Sequence, residues 1–287
     1  MKKYPKVFIV ILNYNRKDFL KKCLDSVYKT TYPNFEVVLV DNNSKDGSLE
    51  MAMTGYSRFI FIKNEENLGY AAGNNKGIRY ALERMADYVL LLNNDVNVKE
   101  NFLDCLIEEA EKNSLTGILS PLIFDGYSGK VWFSGGKIDW LRMKTVHETE
   151  IKTADNFETD FISGCAMLVK KEVFRKIGLL DEDFFLYWED ADFSFRAKKA
   201  GFKLGVAMSS WIDHYERKKN GSNMKTYWLV LSGLIFFKKN ARSFMKYWIL
   251  IYTCLRRLKN LADIAFGTNK QAKFVQKAYG DFSRSKI

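Results

Sequence analysis

Three apolar runs, each stopped by an amide or an acid, constrain this chain more than any other feature. Val7-Phe-Ile-Val-Ile-Leu12 ends at Asn13, Phe35-Glu-Val-Val-Leu-Val40 at Asp41, and Tyr88-Val-Leu-Leu-Leu92 at Asn93-Asn94-Asp95. A short apolar run rich in branched residues reads as a strand buried on both faces, the kind that parallel sheets contain. Between the first two runs, Phe19, Leu20, Cys23, Leu24 and Val27 recur at helical spacing from Asp18 to Tyr28, with Asp18 as the expected N-cap. Strand, polar loop, helix, strand and polar loop open a βαβ sheet. In such sheets ligands bind beyond the carboxyl ends of the strands, which is where these polar loops fall.

Arg58-Phe-Ile-Phe-Ile62 predicts a further strand, followed by a loop that carries Asn67, Gly69, Gly73 and Asn74 into a helix. Small residues and amides at a helix entrance let a backbone come close to a phosphate or a sugar. The loop is neither GxGxxG nor a P-loop, which weakens a dinucleotide or ATPase reading. Asn93-Asn94-Asp95 at the tip of a buried strand suits a divalent cation held by oxygen and by a diphosphate. An Asx turn is the plain alternative for the same residues.

Farther on, residues 101–113 predict a surface helix and Ile118 to Phe124 a return to the sheet. Trp132 to Gly136 predicts a hairpin or a mobile loop over the site, and His147 an exposed side chain. Asp160 to Val169 predicts a strand, Lys170 to Ile177 a short helix ended by Gly178, and Phe202 to Ala207 a late strand before His214. The stretch Gly178 to Asp192 sets six acids among Phe184, Phe185, Tyr187 and Trp188. Carboxylates held against aromatic walls are costly unless they meet a cation, a metal or a proton-donating substrate. A helix N-terminus at Glu189-Asp190 is the competing structural explanation, because acids favour that end of the dipole.

Together these stretches resemble family 2 of the inverting glycosyltransferases with the GT-A fold. The resemblance rests on Val7 to Asn15, Val40 to Ser44, Asn67 to Asn74, Leu91 to Asp95, Ser163 to Val169, and Phe184 to Asp192 with His214. It covers about residues 5 to 216 and looks nearest to rhamnosyltransferase-like and galactofuranosyltransferase-like members that build surface polysaccharides. Six motifs in order are far more specific than any one of them. The resemblance implies an α/β fold, a GT-A mostly parallel sheet flanked by helices, with residues 1–216 as the catalytic domain and 217–287 as a helical appendage.

It also implies roles. Tyr14 and the pair Asp41-Asn42 match nucleobase contacts; Asn67, Gly69 and Asn74 match the ribose and diphosphate loop, beside Asn94. Asp95 matches the last acid of the DxD metal motif and His214 a histidine that completes the coordination of Mg²⁺ or Mn²⁺. Asp190 falls on the general base, Glu189 on a neighbour that orients acceptor hydroxyls, and Trp188 on an apolar face for the acceptor sugar. Two departures stand out: Asn93 replaces the first acid of DxD, which leaves a metal-independent variant open, and Asn42 replaces an acid, which leaves uracil and thymine donors both open. The implied reaction moves a sugar from a nucleoside-diphosphate donor, a TDP-rhamnose-like or UDP-sugar, to a glycan or lipid-linked acceptor.

Charge separates the two ends of the chain. From Glu216 onward there are 16 Lys and Arg against 3 Asp and Glu, whereas the rest is near neutral. Two apolar, aromatic stretches, Tyr227 to Phe237 and Tyr247 to Tyr252, lie among these basic clusters. Both are too short to span a bilayer but suit helices lying in a membrane interface, the alternative being helices packed on the core. The four cysteines are far apart with no CxxC pair, and Met1-Lys-Lys-Tyr-Pro leads straight into a strand. Reduced thiols in the cytoplasm, peripheral to the inner face of the membrane and its anionic lipid, are therefore expected. Two rival classes are a non-catalytic subunit that keeps the fold and a nucleic-acid binder suggested by the basic pI; the latter leaves the acidic-aromatic stretch without a task.

Overall fold

The computed structural model describes residues 4–151, 159–216 and 223–284; residue 217, where the expected domain boundary falls, lies outside them. The chain begins β1 (Val7–Asn13), α1 (Lys17–Val27), β2 (Phe35–Asp41), α2 (Ser48–Gly55), β3 (Ile60–Lys63), α3 (Gly69–Glu83) and β4 (Tyr88–Asn93). There follow β5 (Val96–Val98), α4 (Phe102–Glu111), β6 (Thr116–Asp125), β7 (Val131–Phe133), β8 (Gly136–Asp139) and β9 (Lys144–His147). The remainder is β10 (Ala166–Lys170), α5 (Lys171–Ile177), α6 (Glu189–Lys199), β11 (Lys203–His214), α7 (Asn223–Asn240), α8 (Ser243–Ala265) and α9 (Ala272–Arg284).

Among the described residues, nine strands form one mixed sheet in the order β3-β2-β1-β4-β10-β6-β11-β5, with β7 paired to β6. The first four run parallel, as their apolar runs predict, and Val7 to Ile11 are completely buried. β10 enters antiparallel between β4 and β6, while β6 and β11 are parallel. Since β2 and β4 flank β1 on opposite sides, the chain reverses direction across the sheet there, which opens a crevice at the carboxyl ends of β1 and β4. α3 crosses β1 closely because Gly77 carries no side chain: a Cβ there would sit 2.4 Å from Val10 Cγ1.

Two local expectations are corrected. α1 starts at Lys17 with no side-chain cap from its own N-cap residue, so Asp18 lies in the first turn. The Lys17 N–H donates instead to Asp46 Oδ2 at 2.9 Å, a carboxylate supplied by the loop after β2. The strand expected from Asp160 begins only at Ala166, because the preceding residues have other partners: Phe161 bridges Gly136, and the Ile162 N–H donates to Ser194 Oγ of α6 at 3.0 Å.

The basic end divides. α7 buries Phe236 and Phe237 completely, and both rings pack on Trp188 and Trp140. Its apolar run is therefore core, which corrects the expectation that Tyr227 to Phe237 lies in a membrane interface. α7 also carries Lys239, which bonds Asp181 and Asp183 and so ties the acidic-aromatic stretch to this helix. α8 behaves differently: Asn260 is its single buried residue.

Candidate active site

The crevice is organised by amides at the strand ends. Asn13, at the tip of β1, donates through Nδ2 to Asp41 Oδ1 at 2.9 Å and to Ser48 Oγ at 2.8 Å, and its Oδ1 accepts from Asn94 Nδ2 at 2.8 Å. The ends of β2, β1 and β4 are thereby locked together across the switch point. A second set links the next loop: Asn42 Nδ2 donates to Gly69 O at 3.0 Å and to Asn67 Oδ1 at 3.1 Å, while its Oδ1 accepts from Asn64 at 2.7 Å.

Asp95 and His214 meet because β5 pairs antiparallel with β11, in a register that sets His214 opposite Val96. His214 Nε2 lies 3.3 Å from Asp95 Oδ1, and both side chains are largely buried. Asp95 Oδ1 and His214 Nδ1 are buried atoms without a hydrogen-bond partner. Burial pushes the Asp95 carboxyl up, but His214 and the nearby Arg16 outweigh it and hold the group below the usual carboxylate range. Burial likewise would lower the His214 imidazole, whereas the Cys165 sulfur and Asp95 raise it.

The atoms that could converge on one cation are Asp95 Oδ1 and the His214 Nε2 that faces it at 3.3 Å, and a buried oxygen without a hydrogen-bond partner is expensive unless something binds it. Among the described residues no group of three or more His, Cys, Asp or Glu is arranged to hold a metal. Protein ligation would therefore be limited to Asp95 and His214, with the other positions left to diphosphate oxygens and water, a usual arrangement for Mg²⁺.

Opposite this pair stands the head of α6. Tyr187 and Trp188 precede it with φ of +67° and +70°, a left-handed conformation that costs branched-free L residues about 1–2 kcal/mol each. The two turns swing Glu189 and Asp190 into a cavity of about 470 Å³ that also contains Asp95 and His214. Asp190 Oδ2 accepts from the Gly164 N–H at 2.9 Å and Oδ1 from the Ala191 N–H at 2.7 Å. Burial raises the Asp190 carboxyl, and these two N–H groups oppose that rise. Glu189 is raised further, by burial first and by Asp190 second, and its buried Oε2 has no partner. Of these two adjacent carboxyls, Glu189 is therefore the one that holds a proton more readily, and Asp190 the one that its N–H partners favour as the anion.

The cavity thus collects Asp95, Trp188, Glu189, Asp190 and His214 and omits Tyr14, Asp41, Asn42, Asn67, Gly69, Asn74 and Asn94. Tyr14 is exposed at 45% on the loop after β1, free to stack on a ring. Asp41, Asn42 and Asn74 are at most 1% exposed. Direct nucleobase contact from Asp41 and Asn42 meets a physical obstacle, since their polar atoms are already engaged inside the network; as placed they shape the loops. Trp188 offers only part of its indole, for Nε1 donates to Leu229 O at 3.2 Å and the ring is wedged against α7.

Several cavity residues escaped the sequence reading. Arg16 follows the Asn13-Tyr14-Asn15 turn and Gly164 lies inside a motif already noted, so position alone could have flagged both. Trp132 belongs to the stretch expected to lie over the site, whereas His147 gave no such signal: β7 and β9 bring them in, with ring centroids 4.5 Å apart, and Trp132 also lies 4.6 Å from His214. The expectation of an exposed His147 is corrected, because Trp132, Phe133 and Phe161 surround its ring.

A mixed α/β sheet of this order, flanked by helices, is the GT-A type of fold that the resemblance implies. The chain matches glycosyl transferase family 2 over residues 8–178, more than half its length, and belongs to that family of glycosyltransferase enzymes. It is similar to the N-acetylglucosaminyl-diphospho-decaprenol L-rhamnosyltransferase of Mycobacterium tuberculosis, 27% identical over 237 residues that cover 74% of this chain and 77% of that protein. The dTDP-rhamnosyl transferase RfbF of Shigella flexneri is 25% identical over 248 residues, covering 82% and 80%. Among solved structures, the mannosyltransferase PcManGT of Pyrobaculum calidifontis in complex with GDP-Man and Mn²⁺ aligns with a TM-score of 0.64 at 16% identity, covering 100% of this chain and 89% of that one. At that identity the likeness speaks for the fold alone.

Proposed function

We propose that the protein transfers a sugar, with inversion, from a nucleoside-diphosphate donor to a hydroxyl of a glycan or lipid-linked acceptor in surface-polysaccharide synthesis. The observation that carries this reading is the one cavity that Asp190 lines together with the Asp95–His214 pair. In the transfer, the acceptor oxygen forms a bond to the anomeric carbon as the bond from that carbon to the phosphate oxygen breaks. The acceptor proton passes to Asp190, a role that positioned carboxylates fill when their pKa is raised by burial. Glu189, kept protonated, orients the acceptor hydroxyl through its unpartnered Oε2.

On the donor side, the exposed Tyr14 stacks on the base, and the network of Asp41, Asn42, Asn67, Gly69, Asn74 and Asn94 holds the loops that receive ribose and diphosphate. Asp95 and His214 would hold Mg²⁺ or Mn²⁺, which when bound neutralises charge on the leaving diphosphate. Arg16 from the same cavity adds positive potential beside it, while Lys225 there is paired with Glu216. The two rhamnosyltransferase relatives favour a TDP-rhamnose-like donor over a UDP-sugar, and the name of the mycobacterial one favours an acceptor on a lipid diphosphate. Such an acceptor would place the protein peripherally at the inner face of a membrane. The test is to offer TDP-, UDP- and GDP-sugars with Mg²⁺ or Mn²⁺ and a lipid-diphosphate sugar acceptor and to measure nucleoside diphosphate release. Release from none of the donors sinks the reading.

A further inference from the structure

α8 wears its apolar face outward. Phe244, Tyr247, Ile251, Leu255 and Leu258, followed by Phe266 just past the helix end, are 54–81% exposed. With Leu250 and Leu261 they span roughly 160° of the helix at 100° per residue, a stripe as wide as one that normally faces a core. The side turned to the protein is mixed: Ile249 packs against the core, Tyr252 and Thr253 line a cavity there, and Asn260 Nδ2 donates to Ala272 O of α9 at 3.1 Å. Exposed apolar area of this extent marks an interaction surface.

Its occupant can be argued from charge and length. Lys246 and Arg257 border one side of the stripe and Lys259 the other, and the only acid of α8, Asp263, is already paired with Lys259 at 2.9 Å. Packing the stripe against that of a second copy would bring two basic rims together, whereas anionic headgroups complement them. No helix among the described residues is long and apolar enough to cross a membrane, so a helix lying in the interface is the geometry that remains for lipid. The inner side of α8 also adjoins the chemistry: Tyr252, Thr253 and Arg256 line a cavity of about 270 Å³ whose other walls include Thr145, Trp188 and Leu229, and these three also line the active-site cavity.

We infer that the outward face of α8 docks the enzyme flat on an anionic lipid surface, which sets the active-site cavity beside the bilayer. The inference deepens the proposed reading by supplying a source for a lipid-linked acceptor, and it rests on that reading only for this purpose. α7, which is packed into the core, takes no part in the contact.

The test is flotation of the full chain with vesicles of phosphatidylcholine alone or with about a third phosphatidylglycerol, a fraction chosen to give a clear negative surface potential. The wild-type chain is expected to float with the anionic vesicles, to be released by salt, and to float poorly with the neutral ones. Leu255→Glu/Leu258→Glu should lower recovery at least about 10-fold, the scale of losing two buried leucines, while its thermal melt and its nucleoside diphosphate binding stay unchanged. Lys246→Glu/Arg257→Glu, which leaves the stripe intact, should abolish the preference for anionic vesicles. Asp190→Asn should float as the wild type does, so that docking is read separately from turnover. Equal recovery of the wild-type chain and Leu255→Glu/Leu258→Glu overturns the inference. So does a dimer in solution that the same pair of substitutions dissociates, with no flotation of either form.

Discussion

The backbone N–H of Gly164 donates to Asp190 Oδ2 at 2.9 Å, tying the carboxylate at the head of α6 to the segment that leads into β10. Because Asn93 N in turn donates to Cys165 O at 2.9 Å, the same segment is anchored to the tip of β4, where Asp95 follows two residues later. The proposed base and the proposed metal ligand are thus set relative to each other through one short segment, which holds the Asp190 carboxylate by a backbone N–H and the tip of β4 by a backbone carbonyl.

Asp190 fixes the acid side of the pH profile. Its carboxyl is raised by burial, so the ionised base is lost as pH falls through a value above the ordinary 3.8. Turnover against pH is expected to show an acid limb with its midpoint above 3.8. A midpoint at or below that value would contradict the assignment.

Glu189 should cost stability at neutral pH. Its folded pKa lies above the ordinary 4.5, so the folded chain binds more protons than the unfolded one, and stability falls as pH rises above that value. Glu189→Gln removes the penalty. Its melting temperature should exceed that of the wild-type chain at pH 8, and the gap should close below pH 4.5. A gap that stays constant with pH would show that ionisation is not its cause.

Gly69 joins the donor loop to the acidic-aromatic stretch. Its φ is +79°, and a Cβ there would lie 2.4 Å from the Phe185 carbonyl oxygen, while the next residue, Tyr70, donates its N–H to that oxygen at 2.7 Å. Gly69→Ala should lower unfolding stability by about 1–3 kcal/mol in a denaturant titration. It should also raise the donor KM, since the loop must shift. Unchanged values of both would remove Gly69 from this junction.

The metal site makes a separate forecast. EDTA should abolish turnover and Mn²⁺ or Mg²⁺ should restore it. His214→Ala should raise the half-saturating metal concentration about 10-fold or more, since only Asp95 would remain as a protein ligand. Full turnover in EDTA would mean that the amide at Asn93 goes with a metal-independent enzyme.

The parallel half of the sheet was legible because its signals are local: Val7 to Leu12 and Tyr88 to Leu92 are apolar on both faces, and the polar residues that stop them mark the crevice. The α6 start at Glu189 shows that the structural and functional explanations of one stretch can hold together, for the same helix head that favours acids also aims them into the cavity. Other features depend on contacts between distant segments. Trp132 and His147 reach the site through the pairing of β7 with β6 and β9 with β8, which no local pattern encodes. The resemblance named Asp41 and Asn42 as nucleobase contacts, but only the folded network reveals that Ser44, Asn13, Asn64 and Gly69 already engage their atoms. The stretches in α7 and α8 look alike in composition; Trp188 and Trp140 make one of them core and leave the other facing outward.

The central claim is that Asp190 takes the acceptor proton, and the direct measurement compares nucleoside diphosphate release by the wild-type chain and by Asp190→Asn with the same donor and acceptor. An asparagine oxygen can still accept the Gly164 N–H, so fold and donor binding should persist while kcat falls by about 10²–10⁴-fold. Undiminished kcat in a folded, donor-binding Asp190→Asn would contradict the account.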